Sequence, residues 1–349
     1  MDKPQILRWL EETRPAALER LYKLADTIRC QRVGNEVHLR GLIEISNTCC
    51  RSCAYCGISA LRGGLKRYRM TRLEILAAAF KAKAFGYGTV VLQAGEDKGI
   101  RAEWLAGIIR AIKEKTRLAI TLSLGERTLR ELKIWKKAGA DRYLLRFETS
   151  DRNLFRRIHP PAPGKKTTDR IKLLRFLRGL GYETGSGVMI GIPGQTFESL
   201  ANDILLFRKL DLDMIGVGPF IPHPETPLGA TTKSTIPGQV PNTEEMAYKV
   251  IALARIACPE ANIPSTTALA TLNRAFGREK GLRRGANVVM PNLTPLKYRR
   301  LYELYPAKAC LFETAEECRA CLKHRILGMG RKAGKGAGER KRRAPAIFL

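Results

Sequence analysis

Cys49, Cys53 and Cys56 stand in the rhythm Cys-x3-Cys-x2-Cys, with Tyr55 immediately before the last. Three thiolates this close can hold three irons of a [4Fe–4S] cluster and leave the fourth iron open. An open metal position is where a ligand binds and chemistry begins. Two plainer readings stand beside it, a structural zinc site and apolar packing of sulfur side chains. Zinc sites are usually closed by four ligands, often as paired CxxC units. The nearest histidine is His38, upstream on a predicted strand. Cys50 breaks the rhythm and is read as a non-ligand.

Further polar motifs follow other apolar runs. Gln93-Ala94-Gly95-Glu96-Asp97 carries a glycine that lets backbone approach a ligand, with Glu96 as an acceptor, or it is a simple turn. Thr121 and Ser123 lie on one face of their strand, as ligand contacts or as small polar filler. Arg146 and Glu148 also point one way, either as a structural ion pair or as substrate and cofactor contacts. Arg170 opens the next helical stretch, where its fork suits a carboxylate, unless it is a solvated helix charge. The segment Gly185 to Thr196, which includes Met189, is glycine-rich without being a phosphate loop; its strand end can lie flat on an adenine ring. His223 reads as a loop histidine or a proton carrier. Thr266 and Thr267 offer hydroxyls to an anion, and Met290 is a core or cavity residue. Cys310, Cys318 and Cys321 form a second set, either an auxiliary Fe–S cluster with His324 as a possible fourth ligand or reduced thiols.

Eight strands are needed to position these residues: Val37–Ser46, Thr89–Ala94, Leu118–Leu124, Arg142–Phe147, Glu183–Ile192, Met214–Ile221, Asn262–Thr267 and Asn287–Pro291. Helical stretches such as Thr71–Phe85 and Thr128–Ala138 separate them. Alternating βα units predict an α/β fold, a (β/α)8 TIM-type barrel, with chemistry at the C-terminal strand ends where every motif above falls. The expected organisation is a helical cap over 1–35, the barrel over 36–307 and an extension over 308–349. That extension ends in a Gly/Lys/Arg-rich tail, Gly328–Arg343, expected to be mobile or draped on the surface.

The chain has 349 residues, 44% hydrophobic, with no apolar run of membrane-spanning length and no signal-peptide core. The expected location is cytoplasmic. Nine cysteines there argue for metal ligands and reduced thiols rather than disulfides. The net charge of +29 invites a nucleic-acid partner. The charge is spread widely, aromatics are 7% of residues, and no nucleic-acid module is found. The excess reads as lineage bias, as steering of an anionic substrate or as docking to an acidic partner.

The CxxxCxxC loop with its aromatic is the pattern of radical S-adenosylmethionine (SAM) enzymes. There the open iron chelates SAM, and reductive cleavage releases a 5′-deoxyadenosyl radical. Taken with "VVLQAGED", "GYETGSGVMIGIPGQT", "GVGPFIPHPETPL", "NIPSTTALAT" and "GANVVMPNLTP", the sequence resembles the HydE family from about Tyr22 to the tail. These are biotin synthase-like radical SAM maturases of [FeFe]-hydrogenase. The resemblance implies a complete barrel with a large cavity and a [4Fe–4S] cluster on Cys49, Cys53 and Cys56. It implies SAM contacts at Gly95, Glu96, Ser123, Glu148, Arg170 and Met189, and cavity positions at Arg146, Thr121, Thr266, Thr267 and Met290. Cys310, Cys318 and Cys321 match a dispensable accessory cluster site. The implied substrate is a small cysteine-bound Fe(CO)2(CN) complex, supplied by the maturase HydG and passed on toward HydF. Three departures are Phe147, where family members often carry His, a basic Pro160–Thr168 insertion, and the high charge. The rival readings are a methylornithine synthase-like lysine mutase and, further off, a basic RNA-binding protein with a structural cluster.

Overall fold

A computed structural model describes residues 1–161, 167–230 and 236–341. Most of the Pro160–Thr168 insertion and the last residues of the basic run therefore lie outside the described residues. The strands are β1 Glu36–Ser46, β2 Thr89–Ala94, β3 Ala119–Ser123, β4 Arg142–Leu144, β5 Glu183–Ser186, β6 Met189–Ile190, β7 Met214–Ile215, β8 Gly218–Pro219, β9 Val288–Val289 and β10 Lys332–Ala333. The pairings β1–β2–β3–β4–β5–β7 are all parallel, and β6 and β8 continue β5 and β7 as a short parallel pair. Met214 bridges Asn262, Pro264 bridges Val288, and β9 pairs with β1, so the ring closes.

Two of the expected long strands are split where glycine backbones crowd. A Cβ on Gly187 would stand 1.8 Å from the Gly216 carbonyl oxygen. The expected seventh strand, Asn262–Thr267, contributes only the isolated bridges at Asn262 and Pro264. Pro264 has no N–H for a ladder. Thr266 is instead the N-cap of helix Thr267–Leu272.

The outer helices start where sequence chemistry places them. Thr71 with Glu74 and Thr128 with Glu131 form capping boxes on helices Arg72–Ala84 and Leu129–Lys137. Each such cap is worth about 1 kcal/mol. The N-terminal stretch forms two helices, Lys3–Glu11 and Pro15–Val33, broken at Pro15. Among the described residues no helix is long and apolar enough to cross a membrane.

The barrel lumen is layered by strand alternation. On β1, Ile43 and Ile45 join the core beneath the helices, while Arg40, Leu42 and Glu44 face inward. Leu42 pairs with Val91, and Leu144 pairs through Gly185 with Met214. A Cβ on Gly185 would touch both Met214 and Leu144, so these side chains meet tightly there. Arg40 and Arg142 are buried and reach toward the lower mouth.

The glycine-rich tail is not a loose surface segment. It crosses the lower mouth of the barrel, adding β10 beside Glu36 and Val37. Its carbonyls serve donors that the barrel buries. Ala337 O accepts from Thr89 Oγ1 (2.9 Å) and Arg142 Nη2 (3.1 Å). Gly338 O accepts from Arg40 Nη2 (3.1 Å) and Asn262 Nδ2 (3.0 Å). Arg340 pairs with Asp211 at 2.7 Å and Asp213 at 3.3 Å.

Candidate active site

The cysteine loop follows β1 and is pinned by one guanidinium. Arg67 donates to the carbonyls of Asn47 and Ile58 (both 2.7 Å) and of Ser59 (2.7 Å) and Arg62 (3.2 Å). Gly57 packs against backbone, where a Cβ would stand 2.2 Å from Glu303 O. Gly95 is equally constrained, with Thr48 O 2.4 Å and Cys49 Cβ 2.7 Å from such a Cβ. This close approach lets Glu96 N donate to Cys49 Sγ at 3.3 Å, and Arg51 N reaches the same sulfur at 3.5 Å. N–H donors aimed at sulfur favour the thiolate. Burial nevertheless pushes all three thiols up, Cys56 to about 12. A metal must therefore displace their protons. Among the described residues no three His, Cys, Asp or Glu side chains converge on a single ion.

Around this loop the expected residues gather at the C-terminal strand ends. Glu148 adopts a left-handed backbone, φ 64°, a strain of about 1–2 kcal/mol for a residue with a Cβ. Glu148 N donates to Gly187 O (3.0 Å) and Met189 N to Glu148 O (3.3 Å), which lock that turn. The turn aims the carboxylate at Tyr55 Oη, 3.5 Å from Oε1. Arg146 Nη2 lies 3.0 Å from Glu148 Oε2, in ion-pair contact but off the angle of a hydrogen bond. Four buried polar atoms face this region without a hydrogen bond: Thr121 Oγ1, Thr266 Oγ1, Arg146 Nε and Glu148 Oε2, the last held only by its ion pair. Unpaired buried polar atoms are costly, and a bound ligand would satisfy them. Met189 belongs to a second apolar cluster with Ala54, Ile158, Ile192 and Phe220, packed on Tyr55. Ser123 ends β3 half-buried, and Met290 is half-buried outside the core clusters. Thr267 stands one residue beyond Thr266, at the helix start.

Several residues here lacked a sequence signal. Glu126 accepts from Arg170 Nε (2.8 Å) and Thr168 Oγ1 (3.0 Å), with Arg51 Nη2 at 3.6 Å. It thus joins the cluster loop to Arg170, whose Nη1 donates to Arg146 O at 2.8 Å. Glu96 spends its carboxylate on Glu126 N (2.9 Å) and Lys98 (3.3 Å). His159 Nε2 meets Tyr55 Oη at 3.1 Å, and burial holds this imidazole well below its ordinary range. Asp203 accepts from Ser150 N at 2.6 Å, just after the Glu148 turn.

Other expectations are resolved by geometry. His223 is a loop staple, with Nδ1 accepting from Glu225 N (3.2 Å) and Nε2 against Arg62 (3.0 Å). Phe147 points outward onto Phe207, ring centroids 5.8 Å apart, away from the lumen. The exchange from His there changes packing rather than the site surface. Cys310, Cys318 and Cys321 share a cleft of about 230 Å³ with Arg278, which donates to Cys310 Sγ at 3.1 Å. His324 does not line that cleft, because helical spacing puts Cys318, Cys321 and Arg325 on one face and His324 off it.

The family model described as "Radical SAM superfamily" matches residues 43–207, from the strand that leads into the cysteine loop past Arg170. Barrel, loop and match together define a radical SAM enzyme, a class that carries a [4Fe–4S] cluster and binds SAM. The [FeFe] hydrogenase maturase subunit HydE of Thermotoga maritima is 47% identical over 324 residues, 93% of this chain and 89% of that protein. The chain belongs to the HydE family of hydrogenase maturases. It is also similar to 3-methylornithine synthase of Methanosarcina barkeri, 30% identical over 80% of this chain and 75% of that one. A crystal structure of methylornithine synthase superposes with a TM-score of 0.79 at 25% identity, covering 96% and 94% of the two chains.

Proposed function

We propose that this enzyme acts during assembly of the [FeFe]-hydrogenase H-cluster on a small, anionic, cysteine-bound iron carbonyl and cyanide complex. In this reading Cys49, Cys53 and Cys56 hold the cluster. Gly95, Glu96, Ser123, Glu148, Arg170 and Met189 hold SAM, and Arg146, Thr121, Thr266, Thr267 and Met290 face the substrate. The cluster, once bound and reduced, supplies the electron that cleaves the SAM sulfonium.

The observation that carries the substrate reading is the charge of the upper lumen. Thr121, Thr266 and Arg146 offer unused donors there, while its carboxylates already face cations: Glu148 faces Arg146 and Glu44 faces Lys308. Unused donors beside carboxylates that already carry a cation favour an anionic ligand over an ammonium. A lysine mutase needs the opposite arrangement. We further propose transient contact with HydG and HydF, a cytoplasmic location, and an accessory cluster at Cys310, Cys318 and Cys321.

The test is anaerobic 5′-deoxyadenosine release by reconstituted, reduced protein, with either the cysteine–iron dicarbonyl cyanide complex or L-lysine. Stimulation by the iron complex alone is expected; stimulation by lysine would move the assignment to a mutase. Cys53→Ala should abolish release, whereas Cys310→Ser/Cys318→Ser/Cys321→Ser should retain it.

A further inference from the structure

Glu44 sits at an inward-facing position of β1 with no side-chain exposure, and Lys308, 4% exposed, places Nζ 2.5 Å from its Oε1. Asn292 Nδ2 takes the other carboxylate oxygen at 3.0 Å. Lys308 Nζ also donates to Tyr302 O at 3.0 Å and lies 5.2 Å from the centre of the Tyr302 ring. Tyr302 Oη in turn accepts from Gln93 Nε2, at 3.3 Å, on the inward face of β2. The buried phenol of Tyr302 feels Glu44 together with Cys49 and Cys56, and that of Tyr305 feels Glu44 together with Arg146. The pair therefore stands two residues above Leu42 on the inward side of β1, beside Gln93 of β2 and Asn292 beyond β9.

A buried ion pair is a poor source of stability, since a well-packed apolar pair of similar volume often does as well or better. Its presence here points to charge placement. The ammonium of Lys308 takes the place against Glu44 Oε1 that another cation would otherwise fill. Removing that ammonium leaves an isolated buried carboxylate, which must either bind a proton or find another cation.

We infer that Lys308 is a specificity-determining residue: by filling the Glu44 carboxylate with its own ammonium, it denies that place to the side-chain ammonium of a lysine-like substrate and keeps the cavity for an anionic one. This rests on the anionic-substrate reading above.

The test is thermal unfolding of wild type, Lys308→Ala and Glu44→Gln/Lys308→Met, titrated with ethylammonium chloride against matched sodium chloride. Ethylammonium should stabilise Lys308→Ala with an apparent affinity at least tenfold above wild type. The neutral double variant, which leaves no charge unpaired, should show no such gain. If Lys308→Ala is unfolded alone, its recovery by ethylammonium is the expected result. A folded Lys308→Ala with no gain, an unfolded one that ethylammonium does not recover, or an equal gain in the double variant would overturn the inference. Wild-type 5′-deoxyadenosine release with the iron complex and with L-lysine is run alongside. Failure there sinks the substrate reading, while the ethylammonium comparison still judges what Lys308 does to Glu44.

Discussion

The tail that closes the lower mouth permits a sharp test, because its glycines differ in what surrounds them. Gly336 and Gly338 both have left-handed backbones, φ 70° and 60°. A Cβ on Gly336 would meet nothing within 4 Å, whereas one on Gly338 would stand 2.6–2.9 Å from the ring of His38. Gly336→Ala therefore carries only the left-handed strain, about 1 kcal/mol. Gly338→Ala adds an overlap with a packed imidazole, about 1–3 kcal/mol more, for a total near 3 kcal/mol. In a His38→Ala background the extra cost disappears and Gly338→Ala falls back to about 1 kcal/mol, a coupling that a double-mutant cycle reads directly. Urea denaturation of the four variants and wild type supplies the values. Equal costs for the two glycine substitutions, or an unchanged Gly338→Ala cost without His38, would refute the claim that the tail is seated on that ring.

Three further outcomes follow from other sites. Gly95→Ala drives a Cβ into Thr48 O and Cys49, so reconstituted iron content and the charge-transfer absorbance of the cluster should fall severalfold while far-ultraviolet circular dichroism stays unchanged. Burial raises Asp203 from an ordinary carboxyl to about 7. A raised carboxyl contributes its stability below its unfolded value and loses it as pH climbs through about 7. The charged form at pH 8 thus costs the fold about 4 kcal/mol. Asp203→Asn, which keeps the acceptor for Ser150 N but leaves an unpaired amide worth about 2 kcal/mol, should be about 2 kcal/mol more stable than wild type at pH 8. The two proteins should be equally stable between about pH 5 and 6 and the variant about 1–2 kcal/mol the less stable near pH 4, and a pH-independent difference in urea midpoints would contradict it. Glu126→Ala releases Arg170 and Arg51 together, so the SAM concentration that half-saturates the electron paramagnetic resonance change of the reduced cluster should rise about tenfold. No rise would show that Arg170 is held by its other contacts.

The cysteine loop, the first four strands and the helical stretches Thr71–Phe85 and Thr128–Ala138 were legible because each is written locally, in spacing or alternation. The same alternation placed Thr121, Arg146 and Glu148 on the inner wall, where the structure leaves one polar atom of each without a hydrogen bond. The seventh strand was overread: its apolar and hydroxyl pattern is strand-like, but Pro264 lacks a ladder donor and Thr266 caps a helix. Glu126 and Lys308 were missed because their partners, Arg170 and Glu44, are 44 and 264 residues away. Glu44 did carry a signal, a lone carboxylate at an inward position of the run Leu42–Ile45. The tail misled most. Glycine and lysine read as low complexity, yet Gly334 and Gly338 are demanded by His38, and Gly88 by the Gly336 carbonyl. Such requirements appear only once distant segments meet.

The tail across the lower mouth, with Leu144 and Met214 meeting tightly at Gly185, narrows the way out on that side. Under the reading proposed above, SAM, substrate and products would share the upper opening. Whatever sits deepest would enter first and leave last. Turnover should then be strictly sequential. 5′-Deoxyadenosine left in the doorway would trap the processed complex behind it, and hand-over to the next protein would wait on nucleoside departure.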